Sequence, residues 1–290
     1  MGLRMKFNFA LAGVLLAGMA LAGWVVDRRL KANAREEVLR EAGLMMEAAI
    51  AVRTYTVDQV RPFLAPQMEQ RFLPQTVPAY AATETLAALR GTHPGYRYKE
   101  AVLNPTNPRD LANGWEVDLV ERFRTSAKET EAVGQLDGSR PVLYIARPIR
   151  ISNGACLQCH STPAAAPPSM RRIYGDRGGF GWQHGETVGA QVVTVPMEVP
   201  LARAQQALQT FMVSLLGVFA ALFVVLNLML SWLIVAPVRR LSVAADRVST
   251  GDFQLPELTA RGHDEIATLA NSFNRLRRSL EKAMQMLSKH

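Results

Sequence analysis

Two long runs without a charged residue frame the chain. Phe7–Val26 reads FNFALAGVLLAGMALAGWVV, and Phe211–Ala236 is longer and equally uncharged. About 20 helical residues cross a hydrocarbon core of about 30 Å, so transmembrane helices are predicted at 7–26 and 211–236. Between them, Leu39, Gly43, Met46, Ile50 and Val57 recur at helical spacing, predicting a helix over Asp27–Val60 that leaves the first span directly. Pro62, Pro66, Pro74 and Pro78 then break the chain into short pieces. Tyr80–Arg90 predicts an Ala-rich helix closed by Gly91. Tyr96–Leu103, Val142–Arg150 and Val188–Pro196, rich in Val, Ile, Leu and Tyr and bounded by Gly or Pro, predict strands.

After the second run the pattern is purely helical. Leu241, Ala245 and Val248 alternate in steps of four and three, and a connector follows from Ser249 to Gly262. A second helix opens at His263-Asp264-Glu265, where the dipole favours acids. Ile266, Leu269, Phe273, Leu276, Leu280, Ala283 and Leu287 then form a heptad seam. One chain's seams cannot bury themselves well, so a parallel homodimer is expected.

Composition narrows the classes. The chain has 290 residues, 49% of them hydrophobic, and two cysteines. That excludes a disordered chain and a disulfide scaffold. A polytopic transporter is excluded too, because the apolar residues leave a long polar middle. The net charge of +8 contains no long basic run, so nucleic acid is not an expected partner. Much of the excess flanks the apolar runs: Arg28, Arg29 and Lys31, then Arg239 and Arg240. The second run is followed by three arginines (Arg239, Arg240, Arg247) and carries Trp232 near that end, which predicts a cytoplasmic C-terminus. The first run gives a weaker, opposite bias, yet a long domain is translocated largely regardless of charge. Segment 27–210 is therefore expected outside a bacterial inner membrane. Ala20-Leu21-Ala22 resembles a signal cleavage site, but the apolar run is longer than such signals, so an uncleaved anchor is expected rather than removal of residues 1–22.

Ala155-Cys156-Leu157-Gln158-Cys159-His160 is the chemical centre of the sequence. C-x-x-C-H is the attachment signature of c-type haem: two thiols for two vinyl groups, and a histidine for the iron. A redox dithiol and a zinc site compete with it. No β-α-β pattern surrounds the cysteines, and no second Cys or His pair completes four zinc ligands. One haem c per chain is expected, on Cys156 and Cys159 with His160 as proximal iron ligand.

The middle of the chain resembles a family of bacterial periplasmic sensor domains that bind one c-type haem on a PAS-like fold. The resemblance rests on Pro78-Ala79-Tyr80-Ala81-Ala82, YRYKEAVLNPTNPRD (96–110), ARPIRISNGACLQCH (146–160) and GFGWQHGETVGAQVVTVPM (179–197), and covers roughly residues 30–200. It implies an α+β fold with a small antiparallel sheet and a ligand pocket. Some members use a cysteine as second axial ligand; this chain has no third cysteine. The sixth ligand is therefore sought elsewhere. Met46 or Met45 on the membrane-proximal helix comes first, against the alternative that both simply pack a core. His93, His184, Met170 and Met197 follow, and an open or water-filled position is a further alternative. Arg147, Arg150, Arg171 and Arg172 lie near the motif as partners for haem propionates, or as ordinary surface cations. Gly178-Gly179-Phe180-Gly181-Trp182 reads either as a lid on a haem face or as a structural turn.

The cytoplasmic part, 237–290, resembles a HAMP linker: Pro237 at its start, Ser249-Thr250-Gly251-Asp252 before the connector, and DEIATLANSFN at Asp264–Asn274. No phosphate-binding loop, zinc-protease helix or nucleophile elbow occurs, and no output domain follows before His290. The leading expectation is thus a non-enzymatic membrane sensor. It would pass a redox or small-ligand signal from a periplasmic haem domain through HAMP to a separate cytoplasmic protein. The alternative is a membrane-anchored monohaem cytochrome for electron transfer; a periplasmic peroxidase is a third.

Overall fold

The computed structural model describes residues 2–138, 141–259 and 262–287. The chain divides into two compact units, residues 27–207 and residues 1–26 with 208–290.

In the first unit, β1 (Arg97–Val102), β2 (Ala132–Leu136), β3 (Val142–Arg150) and β4 (Thr187–Pro196) form one antiparallel sheet in the order β1-β4-β3-β2. Because side chains alternate along a strand, each face gathers every second residue. Leu143 and Ile145 of β3 and Val193 and Val195 of β4 lie on one face, with Tyr96 and Tyr98 beside them. Helix α1 (Leu3–Tyr55) covers that face through Val38, Ala42, Met45, Met46 and Ala49. Two short helices follow in sequence, α2 (Arg61–Leu64) and α3 (Pro78–Ala88), and α3 adds Ala82 and Leu86 to the same core. Ala101, Ala146, Ala190 and Val192 occupy the other face, under α4 (Trp115–Thr125) with Leu119, Val120 and Phe123. Burying each of the larger side chains contributes about 1.5–3 kcal/mol. The remaining helices of this unit are the one-turn α5 (Leu157–His160) and α6 (Pro168–Tyr174).

The three expected strands and the expected α1 and α3 are present. The buried stripe of α1 is richer in alanine than the expected Leu39–Val57 spacing, since close contact with the sheet favours small side chains. Elements β2, α4 and α6 had no counterpart in the pattern reading.

The second unit contains α7 (Glu198–Met229) from residue 208 on, α8 (Ala236–Ser249) and α9 (Glu265–Leu287). Two stretches, 4–67 and 198–249, hold helices long and apolar enough to cross a membrane, with mean hydropathy 2.2 and 2.6 in their best windows. The two apolar runs touch: a Cβ on Gly23 would meet the Met212 sulfur at 3.1 Å. Asp264 caps α9, its Oδ1 accepting from Ala267 N at 2.7 Å. The connector is pinned to α9 by Asn274, which accepts from Leu258 N (3.1 Å) and donates to Leu258 O (2.9 Å), and by Arg277, which donates to Leu255 O. Ala267, Ala270, Asn274 and Arg277 are buried, whereas Leu269, Leu276 and Leu280 of the expected seam are exposed within one chain. The side chain of Leu287 and the residue His290 lie outside the described part.

Both long helices contain a π-turn, at Thr56–Val60 and Leu230–Val235. In each, a backbone N–H reaches back five residues, from Arg61 to Thr56 O and from Ala236 to Ser231 O. Each turn ends two residues before a proline, Pro62 or Pro237. A proline has no N–H to donate and its ring collides with the carbonyl four residues back, and a wider preceding turn relieves both.

Candidate cofactor site

The end of β3 aims the motif. A bulge interrupts the β3–β4 register between Ile149 and Arg150. Asn153 then caps the next turn, its Oδ1 accepting from Ala155 N at 2.8 Å and its carbonyl from Cys156 N at 3.0 Å. Residues 154–160 follow as a 3-10 turn and α5. Positions three and four apart share a helical face, so Cys156, Cys159 and His160 project together. All three line one cavity of about 220 Å³, and both cysteines are free thiols. The wall is apolar along Phe72, Pro74, Val77, Val102, Ile149 and Ile151.

His160 is held on its far side. Its Nδ1 lies 2.7 Å from the Gly179 carbonyl, which can only accept, so Nδ1 carries the proton. The lone pair of Nε2 is then left for a ligand. Trp182 stacks on the ring at 4.0 Å between centroids and 14° between planes. Burial lowers the imidazole pKa, opposed by the Gly179 hydrogen bond, and the Arg61 charge lowers it further. The neutral form is thereby favoured. Burial pushes the Cys159 thiol up, with Arg61 opposing.

The segment 178–182 is a backing for His160, not a lid. Gly181 N donates to Ser161 O (2.9 Å), Trp182 N to His160 O (3.2 Å) and Asn104 Nδ2 to Phe180 O (3.0 Å). Gly179 combines φ +80° with an approach so close that an added Cβ would lie 2.8 Å from Thr106 N. Only glycine satisfies both demands.

The tentative sixth ligands, Met46 and Met45, require correction. Both are buried in the core between α1 and the sheet and neither lines the cavity. The cause is position along α1: Arg53, about two turns beyond Met46 on the same face, reaches the cavity wall, whereas Val38, Ala42, Met45, Met46 and Ala49 sit in the core with the sheet. Met197 belongs to the same core. His93 is exposed against Tyr96, and His184 is exposed with Nε2 3.2 Å from Ser152 O. The methionines in the cavity wall are Met170 and Met68. The Met68 sulfur accepts from Leu73 N and Thr76 Oγ1, each at 3.3 Å.

Of the four arginines considered as propionate partners, Arg150 lines the cavity. Arg147 pairs with Glu47 (2.7 Å) and Glu131 (2.9 Å), Arg172 donates to Gln70 O (3.1 Å), and Arg171 is not in the wall. The wall instead receives Arg53, Arg61 and Arg109. Arg53 is ion-paired with Glu100, which also accepts from Tyr98 OH at 2.8 Å. Arg109 pairs with Glu84 and lies 3.5 Å from Asp110. Arg61 donates to Gln158 Oε1 at 3.3 Å and has no carboxylate partner among the described residues. Sequence reading passed over Glu100 although a signal existed. Strand alternation puts it in register with Tyr96 and Tyr98, a charge at a core-facing position.

Asp110 gives the site a pH response. Burial raises its carboxyl from 3.8 to about 6, with Arg109 opposing. The folded chain therefore holds this proton to higher pH than the unfolded one, and stability falls as pH rises from about 4 to about 6. After allowance for partial exposure, the loss is on the order of 2 kcal/mol. Thermal melts at pH 4 and pH 7 are expected to show it in the parent chain and not in Asp110→Asn. Equal pH slopes for the two would refute the assignment.

Among the described residues no three His, Cys, Asp or Glu side chains form a group that could hold a metal ion. Residues 229–282 match the HAMP domain. The chain is 32% identical over 94 residues to "Heme sensor protein HssS" of Staphylococcus aureus strains JH9 and Newman, which is 32% of this chain and 20% of those proteins. It thus spans about a fifth of the length of these curated relatives. A solved structure, "Crystal structure of the cyanobacterial heme-protein Tll0287", aligns with TM-score 0.40 and 18% identity, over 55% of this chain and 95% of that one. The match of residues 31–196, more than half of the chain, places this protein in the Tll0287-like family.

Proposed function

We propose that the chain is a membrane-bound haem c sensor that passes a redox or small-ligand signal from a periplasmic domain through HAMP to a separate cytoplasmic protein. The observation that carries this reading is the grouping of Cys156, Cys159 and His160 on one cavity, with His160 Nδ1 bound to Gly179 O and Nε2 left free. The donor set fits the group: two thiols three residues apart, a neutral imidazole, and a wall that is apolar along Phe72, Val77, Val102, Ile149 and Ile151 with arginines beside it for the acidic side chains of a haem. The HAMP match and the likeness to a heme sensor protein over 94 residues support signalling.

Cys156 and Cys159 would hold the haem as thioethers, one haem per chain, and His160 Nε2 would bind its iron. When bound, haem c supplies a one-electron couple and one coordination position opposite the histidine. Gly179 and Trp182 fix the imidazole in place, so the ring cannot turn away when the charge at the site changes. Met170 and Met68, the methionines in the cavity wall, would be the residues able to offer the iron a thioether. Residues 7–26 and 211–236 would cross the bacterial inner membrane, with 27–210 periplasmic and 237–290 cytoplasmic. Leu269, Leu276 and Leu280, exposed in one chain, would be buried in a parallel homodimer.

The test is an absorption spectrum of the full chain, extracted from the membranes of cells competent for c-type maturation. Oxidised and reduced spectra are recorded with and without carbon monoxide, and light scattering of the same sample gives the mass. A c-type spectrum on a dimer is expected. Absence of haem from such cells would remove the reading. A carbon monoxide shift identifies an exchangeable sixth position and a ligand signal; an unmoved spectrum identifies two protein ligands and a redox signal.

A further inference from the structure

We infer that the Arg53–Glu100 ion pair, whose carboxylate is buried, couples the charge of the haem iron to helix α1, an inference that rests on haem binding in the cavity. Among the described residues Arg53 is the α1 residue in the cavity wall; Val38, Ala42, Met45, Met46 and Ala49 pack in the core with the sheet. Its guanidinium pairs with Glu100 on β1, whose side chain is 4% exposed. Tyr98 OH completes the carboxylate. Burying an ion pair gains little stability over apolar packing, so its presence at a cofactor cavity calls for a use. The pair is also a charged tie between α1 and β1, and the π-turn Thr56–Val60 starts three residues beyond it. π-turns concentrate at positions where a helix adjusts.

The electrostatics have a definite sign. A haem held in the cavity would gain one positive charge on losing an electron to a one-electron acceptor such as ferricyanide. That charge attracts the Glu100 carboxylate and repels the Arg53 guanidinium, which weakens the tie. Oxidation therefore loosens α1 from β1 beside the π-turn, and reduction tightens it. The helix carrying Arg53 runs from Leu3 and contains the first apolar run, Phe7–Val26, so the loosened element is the one proposed to cross the membrane.

Two measurements on the full haem-loaded chain test the inference, after the absorption spectrum has established that haem is present. The first is the midpoint potential. Glu100→Gln removes a negative charge from the cavity and disfavours the ferric state, so the potential is expected to rise. The change is on the order of tenfold in the ferric-to-ferrous ratio at fixed ambient potential, about 59 mV for one electron. Glu116→Gln is the control. That buried carboxylate pairs with Lys99 at 2.6 Å and does not line the cavity, so no comparable shift is expected. The second is hydrogen exchange of peptides covering residues 53–64, in ferricyanide-oxidised and dithionite-reduced protein. Faster exchange is expected in the oxidised parent chain. The double variant Arg53→Met with Glu100→Leu replaces the pair by apolar groups, keeps the fold and should lose the difference. An unmoved Glu100→Gln potential, or parental exchange independent of redox state, would overturn the coupling while leaving haem binding intact. Absence of haem in the initial spectrum would instead overturn the reading beneath it.

Discussion

Replacing Cys156 and Cys159 together by alanine is expected to leave a chain from which no haem survives denaturation. The parent chain should retain haem on a denaturing gel stained for peroxidase activity. The two thiols are the only cysteines in the sequence, and both face the cavity, so no other residue can take over a thioether. Either single variant keeps at most one bond and should show weaker, still covalent staining. His160 and the cavity wall remain in the double variant, so some haem can bind there reversibly and be lost on denaturation. The contrast between native absorption and the denatured gel separates the two modes. Covalent haem on the double variant would refute the attachment scheme.

Arg53→Met alone carries the largest expected cost in stability. Glu100 would stay in a site where its side chain is 4% exposed, with Tyr98 OH as its remaining hydrogen-bond donor among the described residues. Breaking one side of a buried pair costs about 3–5 kcal/mol, because the stranded carboxylate must either stay charged and desolvated or take up a proton. For a unit of this size, that lowers the melting temperature by roughly 10 °C. Removing both partners, with Arg53→Met and Glu100→Leu, should recover most of the loss. Thermal melting of the detergent-solubilised chains checks this. Equal stability of Arg53→Met and the parent would show that the carboxylate finds another partner.

What could be read from the sequence was local. The C-x-x-C-H motif needs only a single helical turn to bring its three side chains together, and one turn is what α5 with its preceding 3-10 turn provides. Val142–Arg150 was legible because a run of branched and aromatic residues between a proline and a turn has few other uses. In contrast, β2 is short and alternates in burial with Val133 facing out and Gly134 facing in, so the alternation leaves no trace in residue type. Helix α4 turns Glu116 inward to accept from Lys99 and Asn113 N, a partnership set by residues distant in sequence. The placement of Met46 in the core and not in the cavity wall was hidden for a related reason. Periodicity identified a buried face on α1 but could not say whether the sheet or the cavity covers it. Arg53 escaped because a charge on a helix is ordinarily solvated, and its partner lies 47 residues away. The seam on α9 was legible as apolar spacing; which of its residues face α8 depends on the small side chains Ala267 and Ala270, which carry little hydrophobic signal.

Each π-turn is, in effect, one residue added to an otherwise regular helix. Helical phase advances about 100° per residue, so the residues after Val235 are clocked by that amount from where an uninterrupted helix would put them. The same offset applies after Val60. A chimera that joins this sensor to another helical output must therefore count residues through Leu230–Val235 as the π-turn counts them. Fusion points chosen by α-helical spacing alone would present the wrong stripe of the donor helix, however well the two halves fold.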